Sequence, residues 1–286
     1  MARIAPRFEE VAPGVFSVAH DFVDGRNGLV FGQRGALAID GGNYPEDGQA
    51  MADFVRRRGC RLEALALTHG HGDHILGCGP LGGGTVYAHA LTPRVMRRQI
   101  PGWAGRWEVS QAEVKARLVW PTVTYSDELR IDLGGKRVRF LPTPGHSEDG
   151  VSAYVEEDKV LIGGDAVVTG IVPAIGDGDG RVLEASLWRL ARLDIEVLVP
   201  GHGPEIYGVE QVRQWIEWEA NYLRQVRVLV RAALDSGVGE EEAIAAASFD
   251  ECIGDRLDRE MHGMPKRHYN TVAKIAAEEQ SGAESQ

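Results

Sequence analysis

Three features of the sequence predict an α/β fold. Short apolar strands alternate with helical stretches through the first half of the chain. Histidine or aspartate recurs at the ends of several strands, each time beside glycine. The last part of the chain carries helical spacing throughout.

Taken in order, "GVFSVAH", "NGLVFGQ" and "ALAIDGG" read as strands, with a turn at Arg34–Gly35 between the second and third. "PEDGQAMADFVRRRG" has helical spacing, with Pro45 suited to a first turn. "LEALALTHG" is a short apolar strand ending at His69, and "GTVYAH" is another. The character then changes. "TPRVMRRQIPGWAGRWEVSQAEVKARL" predicts two short helices broken at Pro101–Gly102, because proline removes a helical hydrogen bond and crowds the preceding turn. Strands resume in "KRVRFLPTPGH", "GVSAYVEE" and "KVLIGGD", the last two joined by a turn at Glu157–Asp158. "RVLEASLWRLARL" is an amphipathic helix and "IEVLVPGHG" a strand entering a glycine-rich loop. Beyond Val209 three helical stretches follow, and the final "SGAESQ" is expected to fray. Residues 1–208 are thus expected to form the α/β unit, with a helical insert at about 92–120. Residues 209–286 are expected to form a helical extension packed on it.

Composition narrows the function classes. The 286 residues are 43% hydrophobic and 26% charged, enough for a sizeable core. The net charge of −11 and the scattering of arginine argue against a protein that lives on phosphate backbones. Three widely spaced cysteines, with no CxxC, form neither a disulfide framework nor a thiolate zinc site and fit a reducing cytoplasm. The opening "MARIAPRFEEVAPG" has no apolar run of the secretory kind, and no stretch is long enough to span a membrane. A small molecule is the expected partner, with a homodimer allowed and neither nucleic acid nor membrane expected.

The stretch "LTHGHGDHILG" holds three of the nine histidines: His69, His71 and His74, with Asp73 among them. His146 in "LPTPGH", Asp165 in "VLIGGD" and His202 in "VLVPGH" likewise follow apolar strands. Loops at strand ends are where α/β sheets present chemistry. Imidazole with carboxylate suits zinc, iron or manganese, and the absence of thiolate disfavours a purely structural zinc site. These residues are too many for one ion and suit two ions about 3.5–4 Å apart. Spacing adds that Asp73 and His74 are adjacent, so both cannot turn without strain to the ion that His69 and His71 would face.

"THGHGDH" resembles the HxHxDH signature of the metallo-β-lactamase superfamily. "TPGHS", "GGDA" and "PGHG" resemble its remaining metal motifs in order, and "AIDGG", carrying Asp40, resembles its first. The resemblance covers about Gly14 to Gly203. It implies an αββα sandwich of two mixed β-sheets flanked by helices, with metals at one edge between the sheets. It implies that His69, His71 and His146 hold one ion, that Asp73, His74 and His202 hold the other, and that Asp165 bridges. Asp40 would orient the first motif's loop through hydrogen bonds. The expected cofactors are two divalent ions, zinc first, with iron or manganese as alternatives.

The implied activity is hydrolysis of a small ester, thioester, lactone, amide or phosphoester by hydroxide held on the two ions, with Asp73 orienting the nucleophile or passing its proton. The alternative is a mononuclear iron dioxygenase or a non-catalytic metal-binding member of the same fold. His71 stands where flavodiiron proteins carry glutamate. "GDAVVTGIVPAIGDGDG" departs from the stretch that follows the bridging aspartate in hydroxyacylglutathione hydrolases, and Ala166–Val168 lack the tyrosine of acyl-homoserine lactonases. "IGDGDGRV" has part of a calcium-loop pattern but reads as a tight loop. Trp103 and Trp107 of the insert, with His268 and Tyr269 of the C-terminal helix, are expected to wall the substrate pocket, the insert hinging at Pro101–Gly102.

Overall fold

The computed structural model describes residues 4–284, with side chains described to residue 281. A seven-stranded sheet runs in chain order: β1 (Arg7–Ala12), β2 (Val15–His20), β3 (Gly25–Gly32), β4 (Gly35–Ile39), β5 (Leu62–Ala66), β6 (Thr85–His89) and β7 (Val123–Tyr125). β1 to β4 pair antiparallel, and β4 to β7 pair parallel. A six-stranded sheet holds β8 (Leu129–Asp132), β9 (Arg137–Pro142), β10 (Val151–Val155), β11 (Val160–Ile162), β12 (Val197–Val199) and β13 (Ile206–Tyr207), in the order 13-12-11-10-9-8. Only β11 and β12 pair parallel in it.

The two-residue period of a strand explains how the sheets stack. In β4, Leu37 and Ile39 face the second sheet and pack with Val138, Phe140 and Val160. Ala36 and Ala38 face the other way, into a layer with Met51 and Val55 of α1 (Pro45–Arg57) and Met96 and Ile100 of α3 (Thr92–Trp107). α2 (Gly72–Ile75) is a single turn between them in sequence. Behind the second sheet, Leu161 and Leu198 meet Leu183 and Leu187 of α5 (Gly180–Leu190), Ile216 and Leu223 of α6 (Val209–Asp235), and Val272 of α9 (Met264–Glu284). The result is helix, sheet, sheet, helix, an αββα sandwich. α4 (Gln111–Arg117), α7 (Glu240–Ala246) and α8 (Phe249–Cys252) complete the helices used below. No helix among the described residues is long and apolar enough to cross a membrane.

Several local expectations need correction. The insert does not break at Pro101: α3 runs unbroken from Thr92 to Trp107. An interior proline costs a helix about 3 kcal/mol. Val95, Met96, Ile100 and Trp103 are all buried on one face of α3, and such burial contributes roughly 1.5–3 kcal/mol per large side chain, which outweighs it. The break falls instead at Glu108, in the left-handed region at φ 55°, and Ser110 opens α4 by accepting from the Glu113 N–H. α9 is helical to Glu284, so "SGAE" of the tail is ordered as helix, and Ser285–Gln286 lie outside the described residues. β1, β7, β8 and β13 have no counterpart among the expected strands; they lie at sheet edges and are short or largely exposed, so they carry little apolar alternation.

Candidate metal centre

β5 delivers the first ligand-bearing loop. Thr68 and His69 follow its end, and α2 then turns the chain, with the His74 N–H donating to the His71 carbonyl at 3.2 Å. That turn sends His69 and His71 to one side and Asp73 and His74 to the other. His146 follows β9, Asp165 sits in the tight turn after β11, and His202 follows β12. Their donor atoms form two groups: His69, His71 and His146, and Asp73, His74, Asp165 and His202, with atoms of each group within 4.8 Å of one another. Asp165 lies between the groups, its Oδ2 3.4 Å from His146 Nε2 and 3.3 Å from His202 Nε2. Gly201 makes room for it, since a Cβ there would stand 2.1 Å from Asp165 Oδ1.

The hydrogen bonds behind the rings decide what the cluster can hold. Asp40 takes a left-handed backbone at φ 60°, strained for a residue with a Cβ. It is held there by three donors. The Thr68 N–H and Oγ1–H give to it at 2.8 and 2.6 Å, and His74 Nδ1–H at 2.9 Å. With the Thr68 hydrogen spent on Asp40, His69 Nδ1–H donates to Thr68 Oγ1 at 3.0 Å. His146 Nδ1–H donates to the Ala174 carbonyl at 2.6 Å, His202 Nδ1–H to the Val23 carbonyl at 3.0 Å, and His71 Nε2–H to Asp177 Oδ1 at 3.0 Å. Each of the five imidazoles therefore has its outer nitrogen fixed as a donor, and the inner nitrogen of each neutral ring is a lone pair.

Those inner nitrogens converge. His71 Nδ1 faces His146 Nε2 at 2.8 Å. His74 Nε2 approaches Asp165 Oδ1 to 3.0 Å without hydrogen-bond alignment, and both atoms, with His69 Nε2, are buried and otherwise unpartnered. Acceptors packed against acceptors repel unless a proton or a cation lies between them. The donor set thus fits divalent ions of the zinc, iron or manganese kind. Electrostatics agrees. Burial and the neighbouring imidazoles push His69 well below its ordinary value, and burial lowers His146. Burial opposes a proton on His74 and His202 too, but Asp165 and Asp73 win: His74 is raised well above the ordinary value and His202 to about 10. The two carboxylates are held ionised by His74 and His202 against their burial. Two clustered metal-binding sites are present.

The cluster opens on a cavity of about 620 Å³. The insert contributes Arg98, Gln99, Trp103 and Arg106 to its wall, and the C-terminal segment contributes Arg267. Trp103 lies against Gly72 of the ligand loop, and Trp107 stacks behind it with ring centroids 6.5 Å apart and Arg117 over its face. Trp107 does not line the cavity. His268 is not there either: buried, it accepts from the Tyr222 hydroxyl at 2.8 Å and donates to the Ala247 carbonyl at 2.8 Å, tying α9 to α6 and the end of α7. Its helix neighbour Tyr269 lies on a separate, exposed cavity with Glu241 and Ile244. Sequence reasoning missed Arg98, Arg106, Arg267 and Asp177. The aspartate had one signal, its place between glycines in "GDGDG", and that was absorbed by the tight-loop reading.

The model of the metallo-beta-lactamase superfamily matches residues 22–202. The chain belongs to the metallo-β-lactamase superfamily. Among curated relatives, the beta-lactamase-like protein 2 homolog of Caenorhabditis elegans is 24% identical over 66% of this chain and 60% of its own length. The hydroxyacylglutathione hydrolase of Francisella tularensis subsp. novicida is 27% identical over 59% of this chain and 58% of its own. The match thus spans about three fifths of those relatives. Of solved structures, a metallo-beta-lactamase family protein of Thermus thermophilus superposes with a TM-score of 0.69 at 22% identity, covering 96% of this chain and 95% of that one. A stereoselective inverting sec-alkylsulfatase of Pseudomonas sp. superposes at 0.68 with 15% identity, covering 98% of this chain and 52% of its own. At these identities the structures show a shared fold.

Proposed function

We propose that the chain hydrolyses a small ester, thioester, lactone, amide or phosphoester with two zinc ions in its centre. In this reading His69, His71 and His146 hold one ion, Asp73, His74 and His202 the other, and Asp165 both. The observation that carries it is the convergence of five inward imidazole nitrogens and two carboxylates at the floor of an open cavity. When bound, two such ions supply an ionised water near neutral pH and draw charge from the oxygen of the scissile group. Asp73 Oδ2, 3.2 Å from His202 Nε2 and on the cavity wall, would orient the attacking water or pass its proton to the leaving group. Trp103 supplies an apolar wall. Arg106 and Arg267 line the cavity with no carboxylate partner among the described residues, which favours a substrate bearing a negative charge away from the bond broken.

Zinc-loaded protein assayed on paired neutral and anionic esters, thioesters, lactones and phosphoesters tests the proposal. His146→Ala and Asp165→Asn should each lower kcat by orders of magnitude with the far-UV circular dichroism unchanged. Wild-type protein that carries two ions and turns over none of these bonds would refute the hydrolytic reading.

A further inference from the structure

Four of the five imidazoles donate their outer hydrogen to a buried side chain or a main-chain carbonyl: Thr68 beside His69, Asp40 behind His74, and the Ala174 and Val23 carbonyls behind His146 and His202. His71 differs. Its outer nitrogen meets Asp177, a side chain 32% exposed, in the loop between β11 and α5. That loop is not free to drift. Gly176 adopts φ 57° and passes so close that a Cβ would stand 2.7 Å from the His146 carbonyl and 3.3 Å from Cε1 of both His146 and His71. The Asp179 N–H donates to the Gly145 carbonyl at 2.9 Å, and the Asp179 side chain caps α5 by accepting from the Arg181 and Val182 N–H groups at 2.8 and 2.9 Å. The other oxygen of Asp177 is taken by Arg98 of α3. Arg98 also donates to Glu148 Oε1 at 3.2 Å, on the loop that carries His146. One guanidinium therefore clasps both loops that flank the His71–His146 pair, and it comes from the insert.

We propose that Asp177 is the positioning residue for His71 and that Arg98 couples it to the insert, so that α3 controls how tightly the His69–His71–His146 group holds its ion. The proposal rests on that group's being a metal site. The physical step is short. Asp177, ionised beside Arg98, can only accept, so His71 must keep its hydrogen on Nε2 and leave Nδ1 free to face His146 Nε2. Without that acceptor the ring can take the other tautomer or rotate, and the inward lone pair is lost for part of the population. An exposed Arg–Asp pair by itself would be worth little. Its importance here comes from the imidazole it orients. Among the described residues no such hydrogen-bonded link joins the second group to the insert: His74 and His202 are held by Asp40 and Val23, both outside α3.

Competition of zinc against a chromophoric chelator, run on wild type, Asp177→Ala and Arg98→Met, tests this, with the His71 tautomer read from nitrogen chemical shifts. Loss of an outer partner of a metal-bound histidine typically costs about 10–100-fold in affinity. Asp177→Ala should weaken one of two ions by that factor, leave the other unchanged, and shift His71 from the Nε2–H form to a mixture. Arg98→Met keeps Asp177 in place and should weaken the same ion by a smaller factor. Unchanged affinity for both ions in Asp177→Ala, equal loss of both, or an unmoved tautomer signal would overturn the positioning role. Unchanged affinity in Arg98→Met would overturn the coupling to α3. Wild-type protein that binds no zinc at the first group would instead remove the metal reading on which the proposal stands.

Discussion

Asp40 shows how one residue can be legible in sequence while its reason is not. The resemblance of "AIDGG" to the superfamily's first motif marked it as an orienting carboxylate. The structure adds that it sits at φ 60° and accepts three hydrogen bonds, which set the donors of Thr68, His69 and His74 in one chain. The seven inward residues were all visible because histidine and aspartate stand out beside glycine at strand ends. Asp177 was not, because its role depends on Arg98 and His71, 79 and 106 positions away in sequence. Glu219 was equally hidden. It is fully buried on α6, one oxygen accepting from the Val168 N–H at 3.2 Å and the other unpartnered. Burial raises its pKa well above the ordinary 4.5. A carboxyl whose folded pKa is raised stabilises the fold below its unfolded pKa and loses that contribution as pH rises through the folded value. Glu219→Gln keeps the acceptor and removes the charge. Denaturant unfolding should therefore show its stability relative to wild type increasing from pH 5 to pH 8. A difference flat across that range would mean that Glu219 does not carry a raised pKa.

At the scale of elements, the strands and helices with strong apolar periodicity were legible, and those at the margins were not. β8, with alternate residues exposed, lacks a dense apolar signal. α3 misled in the opposite direction, because a local rule about proline lost to tertiary burial of Val95, Met96, Ile100 and Trp103. The same helix, continuous and packed on the first sheet, presents Trp103 to the cavity as a fixed wall instead of a hinged lid. Trp103→Ala should then raise KM for substrates with an apolar group and leave zinc content unchanged, the pattern of binding energy common to ground and transition states. Reduced thermal stability with KM unmoved would assign Trp103 to packing alone.

For the whole molecule, the sandwich was legible only through resemblance, since a pattern of strands says little about which sheet each joins. What the assembled structure adds is that the centre belongs to both sheets. His69 to His74 come from the first, and His146, Asp165 and His202 from the second. Backbone hydrogen bonds stitch the sheets at this edge, Val151 N–H to the Thr68 carbonyl and Arg26 N–H to the Gly201 carbonyl, both at 2.8 Å. Ions held here would bind the folded chain alone and stabilise it by mass action. They would also have to displace the protons that Asp165 and Asp73 keep on His74 and His202. The measurement that bears most directly on the centre is a calorimetric zinc titration of chelator-treated protein at pH 7, run in buffers of different ionisation enthalpy. The structure predicts two zinc ions per chain and net release of protons; one ion per chain, taken up without proton release, would contradict it.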